Sequence, residues 1–400
     1  MKKIAMLHWA FPPIIGGVET HLVLLCPELI KRGWQVELLT GAIEGRYEEY
    51  VWEGMRVKRT PLMDLNSLNP EKIKALKDQI KEELEQFIEE VNPDIIHAHN
   101  MHYFSPVHAR VLDEIKRKRE IPLVLTSHNV WEDELWDEMN RLADIWDMVI
   151  SVSQYIKDEM VKVGYRAGRI VVVHHGIDHR RFHPPTEEEY TAARRRYPAL
   201  GDRPVIFHPA RMSLDKGCHI SVKALRIIKE RVPDVMLVLA GTGKTVDWGS
   251  HQPKHVRMIM DMIEEYGLKD NVYVQFFPWE EIPYMYQAAD ICIYPSCFEE
   301  PFGLVMLEAM ATGRPIVVSR AGGMPEVVKD GQNGFIVEMK NEEELADRCL
   351  QLLLNPDLAE AMGKKGREMV EKHYTKEIMT EKTINVYEMA LENRYYRLGR

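Results

Sequence analysis

The chain has 400 residues, of which 45% are hydrophobic, and its formal net charge is −10. This length indicates two domains, and the apolar content is sufficient for two ordinary soluble cores. The acidic balance argues against a nucleic-acid partner, because nucleic-acid-binding proteins carry a basic surface. No run of eighteen apolar residues occurs in the sequence, so we expect no transmembrane span.

The cysteines are scattered and odd in number, and no Cys-x-x-Cys pair occurs among them. This pattern argues against a disulfide framework and against a structural zinc site. It favours a reducing, cytoplasmic location. The five positions are Cys26, Cys218, Cys292, Cys297 and Cys349.

The first half of the chain alternates short apolar runs with amphipathic segments. Apolar residues at helical spacing predict helices over residues 20–32 and 71–91. The alternation is typical of a parallel sheet that is covered on both faces. The predicted strands are residues 4–7, 35–40, 95–97, 123–126, 148–152 and 170–174.

The pattern then begins again after a linker and an exposed helix in residues 179–203. The sequence therefore predicts an α/β fold with two Rossmann-like domains, residues 1–180 and 181–374, that face each other across a cleft. We expect the C-terminal helix, within residues 375–400, to pack back on the first domain. Ligands of such sheets bind beyond the carboxyl ends of the strands. The strands predicted in the second domain are residues 205–208, 236–240, 272–275, 291–294, 316–319 and 335–337.

Residues 298–316 place two carboxylates, Glu300 and Glu308, around a predicted helix start at Pro301. Backbone N–H groups at Phe302, Gly303 and Leu304 would attract a phosphate there. Eight helical residues rise about 12 Å, the reach of a long ligand such as a sugar diphosphate joined to a ribose. The plainer alternative is a capped amphipathic helix with one solvated glutamate.

Glycine-rich loops follow three predicted strands, where backbone N–H groups can approach a phosphate closely. They contain Gly16 and Gly17, Gly241 in a Gly-Thr-Gly-Lys run, and residues 321–323. Tight turns are the plainer alternative. Arg211 and Lys216 follow the strand at residues 205–208, where two cations would suit a diphosphate. A solvated charged loop is the alternative for this pair.

Histidines are frequent at the predicted strand ends, where His97, His99, His102 and His128 occur. His128 is the one that we expect to face a ligand, with a purely structural histidine as the alternative. The spacing of His175, His179 and His183 would suit a metal on a helix. Glycine and prolines in that segment argue against a continuous helix, so no metal site is predicted.

Taken together, these motifs resemble the retaining nucleotide-sugar glycosyltransferases of the GT-B fold, family 4, and the resemblance covers nearly the whole chain. The resemblance rests on the shared order and spacing of these motifs rather than on any single motif. The matching pieces are residues 16–21, 94–99, 127–129, 151–153, 173–178, Arg211 with 216–217, 240–243, the Glu-x7-Glu pair of Glu300 and Glu308, and residues 323–326.

The resemblance implies a role for each matching residue. Arg211 and Lys216 would neutralise the donor diphosphate, and Glu308 would hold the ribose hydroxyls. Glu300 and the N–H groups of Phe302, Gly303 and Leu304 would hold the transferred sugar and its phosphate. His128 would contact that sugar near the reacting carbon, and Gly16 and Gly17 would close on the diphosphate.

The implied reaction moves a hexose, with retention of configuration, from a nucleotide diphosphate sugar to an acceptor hydroxyl. A UDP-glucose-type donor is favoured slightly over GDP-mannose. The acceptor would be a sugar, a polyol, or a glycolipid or polysaccharide, held by first-domain loops. These loops contain Tyr47, Trp52, Tyr103, Phe104 and Trp131, for which core packing is the alternative. The nucleotide sugar is a co-substrate, and we expect neither a tightly bound cofactor nor an obligatory metal.

Other activities remain open from the sequence: a GT-B disaccharide phosphorylase, a nucleotide-sugar epimerase, and, with less support, a non-catalytic nucleotide-sugar-binding subunit. Two positions depart from the family pattern. His175 stands where asparagine is usual, and residues 276–279 lack the glycine common there. The basic segments 116–119 and 194–196 leave a peripheral contact with an anionic membrane open, although solvated helix faces explain them more simply. The oligomeric state is left open as well.

Overall fold

The computed structural model describes residues 1–241 and 252–397. The chain divides into two compact units. Unit 1 consists of Met1–Gly176 together with Lys376–Arg400, and unit 2 consists of Ile177–Thr375. The C-terminal segment therefore belongs with the first unit, although the whole of unit 2 separates the two in sequence.

Unit 1 is built around an eight-stranded sheet within the described residues, in the order β3-β4-β2-β1-β5-β6-β7-β8. Neighbouring strands are parallel except for the antiparallel pair β3 and β4. The strands are β1 Lys3–Leu7, β2 Gln35–Gly41, β3 Glu48–Trp52, β4 Met55–Thr60, β5 Ile95–His99, β6 Leu123–Ser127, β7 Met148–Ser151 and β8 Ile170–Val172.

The hairpin of β3 and β4 was not predicted from the sequence. β3, the edge strand, begins with two glutamates, and β4 alternates apolar Met55 and Val57 with charged Arg56 and Lys58, so neither strand is a continuous apolar run. Arg59 on β4 is nevertheless buried, and its guanidinium donates to the Gly41 carbonyl and to the Tyr50 hydroxyl. In the sequence, this edge of the sheet is therefore marked by charged residues that pair rather than by a hydrophobic run.

Helices connect the parallel strands of unit 1. The helix predicted at residues 20–32 begins earlier, at Gly17, and the one predicted over 71–91 is two helices separated at Leu76. The first of these two begins at Pro70, because the Asn69 side chain caps the Lys72 N–H at 2.8 Å. These helices are α1 Gly17–Lys31, α2 Pro70–Ala75, α3 Lys77–Val91, α4 Pro106–Arg119, α5 Glu134–Asn140 and α6 Gln154–Lys162.

Unit 2 contains a parallel six-stranded sheet within the described residues, in the order β11-β10-β9-β12-β13-β14. All six predicted strands are confirmed, with ends that differ by at most one residue. The strands are β9 Val205–His208, β10 Met236–Ala240, β11 Val272–Gln275, β12 Ile291–Tyr294, β13 Ile316–Ser319 and β14 Gly334–Val337. The helices are α7 Glu187–Arg196, α8 Cys218–Lys229, α9 Gln252–Glu265, α10 Ile282–Ala288, α11 Leu304–Ala311, α12 Met324–Val327, α13 Glu342–Leu353 and α14 Pro356–His373.

The strand order of unit 2 reverses direction between β9 and β12, which is the dinucleotide-binding topology. The first strand of the unit, β9, thus has its second strand on one side and its fourth on the other. A crevice opens at such a reversal, beyond the carboxyl ends of the strands. This edge of unit 2 is therefore where the fold itself favours a ligand.

The last helix, α15 (Lys376–Arg397), packs on the first unit, as the sequence predicted. The Tyr387 ring lies 5.4 Å from the Trp34 ring, and its hydroxyl lies 2.7 Å from His97 Nδ1. Both aromatic side chains are buried. Within the described part of the chain, no helix combines the length and the hydrophobicity that a bilayer crossing requires.

Candidate active site

The edge of unit 2 at the reversal collects the charged residues that the sequence singled out. Strands β9 and β12 are hydrogen-bonded neighbours, with Ile206 beside Ile291. The chain leaves β9 toward Arg211 and Lys216, and it leaves β12 toward Glu300. Because parallel strands end at the same edge, two cations and a carboxylate meet where a ligand is expected.

Lys216 and Glu300 form an ion pair at this edge. Lys216 Nζ lies 3.1 Å from Glu300 Oε2 and 3.4 Å from Oε1. The Tyr294 hydroxyl donates to the same Oε2 at 2.7 Å. Lys216 Nζ also lies 4.5 Å from the centre of the Phe298 ring. An oriented ammonium can bind phosphate oxygens, and an oriented carboxylate can accept from sugar hydroxyls.

Arg211 adds a second, half-buried cation beside this pair. Burial lowers the pKa of its guanidinium, and the groups Tyr294, Glu300 and Asp215 act in the opposite direction. A guanidinium keeps its charge in proteins and presents a planar set of donors. The site can therefore offer both a fork-shaped and a compact cation to a diphosphate.

The helix after Glu300 does not begin at Pro301, so that prediction was wrong. The helix α11 begins at Leu304, after Gly303 in the left-handed region with φ +88°. A longer helix would need the Glu300 carbonyl as an acceptor, but the Gly323 N–H donates to it at 2.8 Å. Glu300 thus lies in a loop, and the 12 Å helical separation from Glu308 does not apply.

The loop of residues 321–323 supports Glu300 rather than standing apart as a further phosphate loop. Gly322 has φ +50°, and a Cβ on it would lie 2.1 Å from the Glu300 carbonyl oxygen. The Gly322 N–H donates to the Glu299 side chain. Only glycine permits this close approach with this backbone. The carboxyl end of β13 therefore holds the backbone of the residue that pairs with Lys216.

Glu308 is buried on α11, so the alternative of a solvated glutamate is wrong. The Tyr286 hydroxyl on α10 donates to Glu308 Oε2 at 2.6 Å. Burial raises the pKa of this carboxyl, while the Tyr286 hydrogen bond and the charge of Arg181 lower it. The Glu308 carboxylate has more acceptor positions than the single Tyr286 hydrogen bond uses. It could therefore accept from two adjacent hydroxyls, such as those of a ribose.

Arg181 connects the region of Glu308 to the segment 276–279. Its guanidinium carbon lies 3.9 Å from the centre of the Trp279 ring, and it donates to the Trp279 carbonyl. Burial lowers the pKa of Arg181, and the nearby charges of Glu308, Glu280 and Asp178 raise it. Trp279 thus belongs to the segment 276–279 that lacks the glycine implied by the resemblance.

The glycines at the strand ends differ in their surroundings. A Cβ on Gly241 would lie 3.1 Å from Gln275 C and Phe276 N, so this glycine allows the ends of β10 and β11 to approach. The rest of its predicted loop, residues 242–244, lies outside the described residues. In unit 1, Gly16 precedes α1, and a Cβ on Gly17 would meet nothing within 4 Å.

His128 lies at the carboxyl edge of the sheet in unit 1, just after β6. Its backbone N–H donates to Asn100 Oδ1 at 2.8 Å, and its Nε2 lies 3.0 Å from His99 Nδ1. Its ring is 5.3 Å from that of His175 and nearly parallel to it. Burial, and then the neighbouring histidines, hold the pKa of His128 well below its usual range. His128 is therefore an oriented, neutral imidazole.

Aromatic side chains cluster beside this edge of unit 1. The Tyr103 and Trp131 rings stack at 4.0 Å with 5° between their planes. Phe104, which has φ +53°, meets the Trp131 ring edge-on at 5.6 Å and the Trp9 ring at 5.8 Å. These residues belong to loops that follow β1, β5 and β6, so they line the same edge as His128.

Four residues of these sites have no role that the sequence predicted. Tyr294 was visible as a tyrosine that ends a predicted strand, but its partner Glu300 could not be read from the pattern. Tyr286 reaches Glu308 from another helix, and Arg181 lies within residues 179–203, for which the sequence predicts a linker and an exposed helix. His21 ends the matching segment 16–21, but no function was predicted for its side chain. The Tyr286–Glu308 and Arg181–Trp279 contacts join residues 22 and 98 positions apart, so no local signal identifies them. The Tyr294–Glu300 contact spans six residues and depends on the shape of the intervening loop.

Comparison with known proteins identifies the family of this chain. Residues 189–369 match the profile of Glycosyl transferases group 1, and residues 15–181 match that of Glycosyltransferase Family 4. The chain belongs to the family 4 glycosyltransferases of the GT-B fold. The glycosyltransferase is 27% identical to an uncharacterized glycosyltransferase of Methanocaldococcus jannaschii over 98% of its own chain and 99% of the relative. It is 29% identical to a D-inositol 3-phosphate glycosyltransferase of Corynebacterium urealyticum over 90% and 89% of the two chains.

Solved structures share the fold of the glycosyltransferase. Sucrose-phosphate synthase of Thermosynechococcus elongatus superposes with a TM-score of 0.82, at 22% identity over 98% of this chain and 100% of that one. Anabaena HepE in complex with UDP and glucose gives a TM-score of 0.78, at 22% identity over 97% and 100%. The predicted fold class is therefore confirmed, and the enzyme is a transferase.

Proposed function

We propose that this glycosyltransferase moves a hexose from a nucleotide diphosphate sugar to a hydroxyl of a sugar, polyol, or glycolipid or polysaccharide acceptor. The configuration at the anomeric carbon is retained. A UDP-glucose-type donor is preferred over GDP-mannose. The observation that carries the proposal is the Lys216–Glu300 pair, with Arg211 beside it, at the strand reversal of unit 2.

The main requirement of this reaction is stabilisation of the negative charge on the departing diphosphate. Arg211 and Lys216 would supply the positive charge that stabilises it. Cations already oriented at the developing charge stabilise a transition state more than mobile ones, because no reorganisation is needed during the reaction. The donor phosphate would replace Glu300 as the partner of the Lys216 ammonium. The released Glu300 oxygens, and the N–H groups of Phe302, Gly303 and Leu304, would then hold the sugar and its phosphate.

Retention in this account comes from attack on the same face from which the diphosphate departs. The departing phosphate takes the proton of the acceptor hydroxyl, and the enzyme chiefly orients the two groups. Glu300 is already engaged by Lys216 and Tyr294, which suits a positioning role better than that of a nucleophile. No covalent glycosyl-enzyme intermediate is then required.

The remaining residues fix the two ends of the donor. Glu308, kept buried against Tyr286, would accept from the ribose hydroxyls. His128 would donate to, or accept from, the sugar near its reacting carbon, and Gly16 and Gly17 would leave room for the diphosphate. Gly241 would lie beside the donor at the end of β10. The aromatic cluster of Tyr103, Phe104 and Trp131 would receive the acceptor.

Two known proteins bear on the donor and on the acceptor separately. Anabaena HepE, which shares the fold, was solved in complex with UDP and glucose, which supports a UDP-sugar donor. The Corynebacterium relative is a D-inositol 3-phosphate glycosyltransferase, which supports a polyol-type acceptor. The cysteine pattern favours a cytoplasmic enzyme, where nucleotide sugars are made. The account requires neither a tightly bound cofactor nor a metal for turnover, because Arg211 and Lys216 carry the positive charge.

Donor hydrolysis without acceptor is the experiment that tests this proposal. Purified enzyme is incubated with UDP-, GDP- and ADP-hexoses, and the released nucleotide and the anomer of the released sugar are measured by chromatography and NMR. We expect one donor, a UDP-hexose, to be hydrolysed slowly with retention. Lys223→Ala, which removes a cation paired with Glu342 elsewhere in unit 2, should behave as the wild type.

The same experiment separates the competing activities. An epimerised nucleotide sugar with no free nucleotide would identify an epimerase. Turnover only with inorganic phosphate and a disaccharide would identify a phosphorylase. Binding without any product, with every acceptor class supplied, would indicate a non-catalytic subunit and would contradict the proposal.

A further inference from the structure

Three buried histidines of unit 1 bring their rings together at the carboxyl edge of the sheet. His21 lies on α1, His99 ends β5, and His128 follows β6. Their ring centres are 4.9, 5.3 and 5.4 Å apart. One ring nitrogen of each lies within 4.8 Å of one ring nitrogen of both others, and no other such group occurs in residues 1–241 and 252–397.

The ring nitrogens of this cluster are not all used by the protein. His21 Nδ1 lies 2.9 Å from His175 Nδ1, but His21 Nε2 is buried without a hydrogen-bond partner among the described residues. His128 Nδ1 is buried without one as well. Buried polar atoms are nearly always paired, so two orphaned nitrogens in one cluster call for a ligand.

We propose that His21, His99 and His128 form a binding site for a divalent transition-metal ion of which Zn²⁺ is the representative. Three imidazoles with neither thiolate nor carboxylate suit Zn²⁺, Cu²⁺ or Ni²⁺ rather than Mg²⁺ or Ca²⁺. Zinc–nitrogen bonds of about 2.0–2.1 Å place tetrahedral ligands roughly 3.4 Å apart. One ring nitrogen of each histidine lies within 4.8 Å of the others, so the three nitrogens would draw together by roughly 1 Å on binding the ion.

A second layer of contacts fixes the cluster. His175 contacts His21 Nδ1, which leaves Nε2 as the coordinating atom of that ring. The Asn100 side chain holds the backbone of His128. The ion is an inhibitor in this account, because it occupies the imidazole that would contact the donor sugar. That consequence rests on the proposed function, whereas ion binding does not.

Metal titration of the full-length enzyme tests the site. Protein stripped with a chelator is titrated with Co²⁺, followed by visible absorption, and with Zn²⁺ by equilibrium dialysis. We expect one ion per chain in the wild type. His21→Gln should weaken binding at least about tenfold, the lower end of what loss of even an outer-layer contact causes. His108→Gln is the matched control, since His108 is buried in the same unit with Ser105 and Leu62 as partners.

The outcomes are distinct. No ion in the wild type, or equal affinity in His21→Gln and His108→Gln, would overturn the site. Circular dichroism verifies folding, and His128→Gln replaces His21→Gln in the titration if the latter does not fold. Inhibition of donor hydrolysis by Zn²⁺, lost together with ion binding in His21→Gln, would support both inferences. Ion binding without inhibition would support the metal site and would contradict the placement of His128 in the donor site.

Discussion

Lys216 Nζ lies 3.1 Å from Glu300 Oε2, although 84 residues separate the two in sequence. The pairing of β9 with β12 makes this contact, because both residues follow strands that end side by side. The ion pair holds a cation and a carboxylate ready at the one edge of unit 2 where its topology favours a ligand.

Lys216→Ala should lower donor turnover by about 10²–10³-fold, the usual loss when one oriented charge-stabilising group is removed. The measurement is the rate of nucleotide release under saturating donor. Lys223→Ala also removes a lysine from an ion pair, with Glu342 at 3.3 Å, and serves as the control. Equal rates in the two variants would remove Lys216 from the site.

Gly322→Ala should impair turnover by displacing the backbone of Glu300. The new Cβ would lie 2.1 Å from the Glu300 carbonyl oxygen, in addition to the cost of φ +50°. Gly331→Ala supplies the control, because that residue has φ +72° but nothing within 4 Å. We expect the control to lose about 1 kcal/mol of stability from backbone strain and to keep its rate. The idea fails if Gly322→Ala keeps a wild-type rate.

Glu308→Gln should stabilise the fold and weaken donor binding. Burial raises the pKa of Glu308 above its unfolded value, so the folded protein binds the proton more strongly. The stabilising effect of protonation is thus present at low pH and is lost as pH rises through the folded pKa. Gln avoids the cost of the buried charge and can still accept from Tyr286.

Urea unfolding at several pH values checks this prediction. The free energy of unfolding of Glu308→Gln should exceed that of the wild type at pH 8, and the difference should shrink toward pH 4.5. Donor affinity, measured at pH 8, should fall at the same time. A variant less stable than the wild type at pH 8 would show that the Glu308 carboxylate stabilises the fold instead.

Acid should destabilise unit 1 from about pH 6.5 downward. Burial lowers the pKa of His97 to about 3, and that of His102 likewise, so both are neutral in the folded protein. Unfolding exposes them to protonation, so their stabilising effect is present above pH 6.5 and is lost as pH falls toward 3. Between pH 6.5 and 5, the slope of unfolding free energy against pH gives the protons taken up.

The His97→Gln variant isolates one of these groups. Glutamine can contact Thr126 and Tyr387, the two partners of His97, but it does not titrate. The number of protons taken up on unfolding should fall by about one relative to the wild type. An unchanged slope would mean that His97 does not contribute to acid sensitivity.

The sequence predicted the parallel strands well because a strand buried on both faces is a continuous apolar run, as in Ile291–Tyr294. It failed at the hairpin Glu48–Trp52 and Met55–Thr60, where edge position replaces hydrophobicity with charge pairs. It also misplaced the start of α11. Proline at a helix start is a local preference, whereas the contact between Gly323 and the Glu300 carbonyl is set by another strand.

The sequence predicted which residues contribute to the candidate site, but it did not predict how they are arranged in space. Glu300, Lys216 and Arg211 were each visible beside a predicted strand end. The tyrosines that hold the carboxylates were not, because Tyr286 and Glu308 lie on different helices and meet only after folding. The histidine cluster of His21, His99 and His128 depends in the same way on which strands are neighbours.

The central claim, that the Lys216–Glu300 edge of unit 2 binds a nucleotide diphosphate, is tested most directly by calorimetric titration with UDP, GDP and ADP. We compare the wild type with the double variant Arg211→Gln and Lys216→Gln. The account predicts one site in the wild type, strongest for UDP, and an affinity at least about a hundredfold lower in the double variant, because two charge-assisted contacts are lost. Equal affinity in both proteins, or no binding of any of the three nucleotides to the wild type, would contradict it.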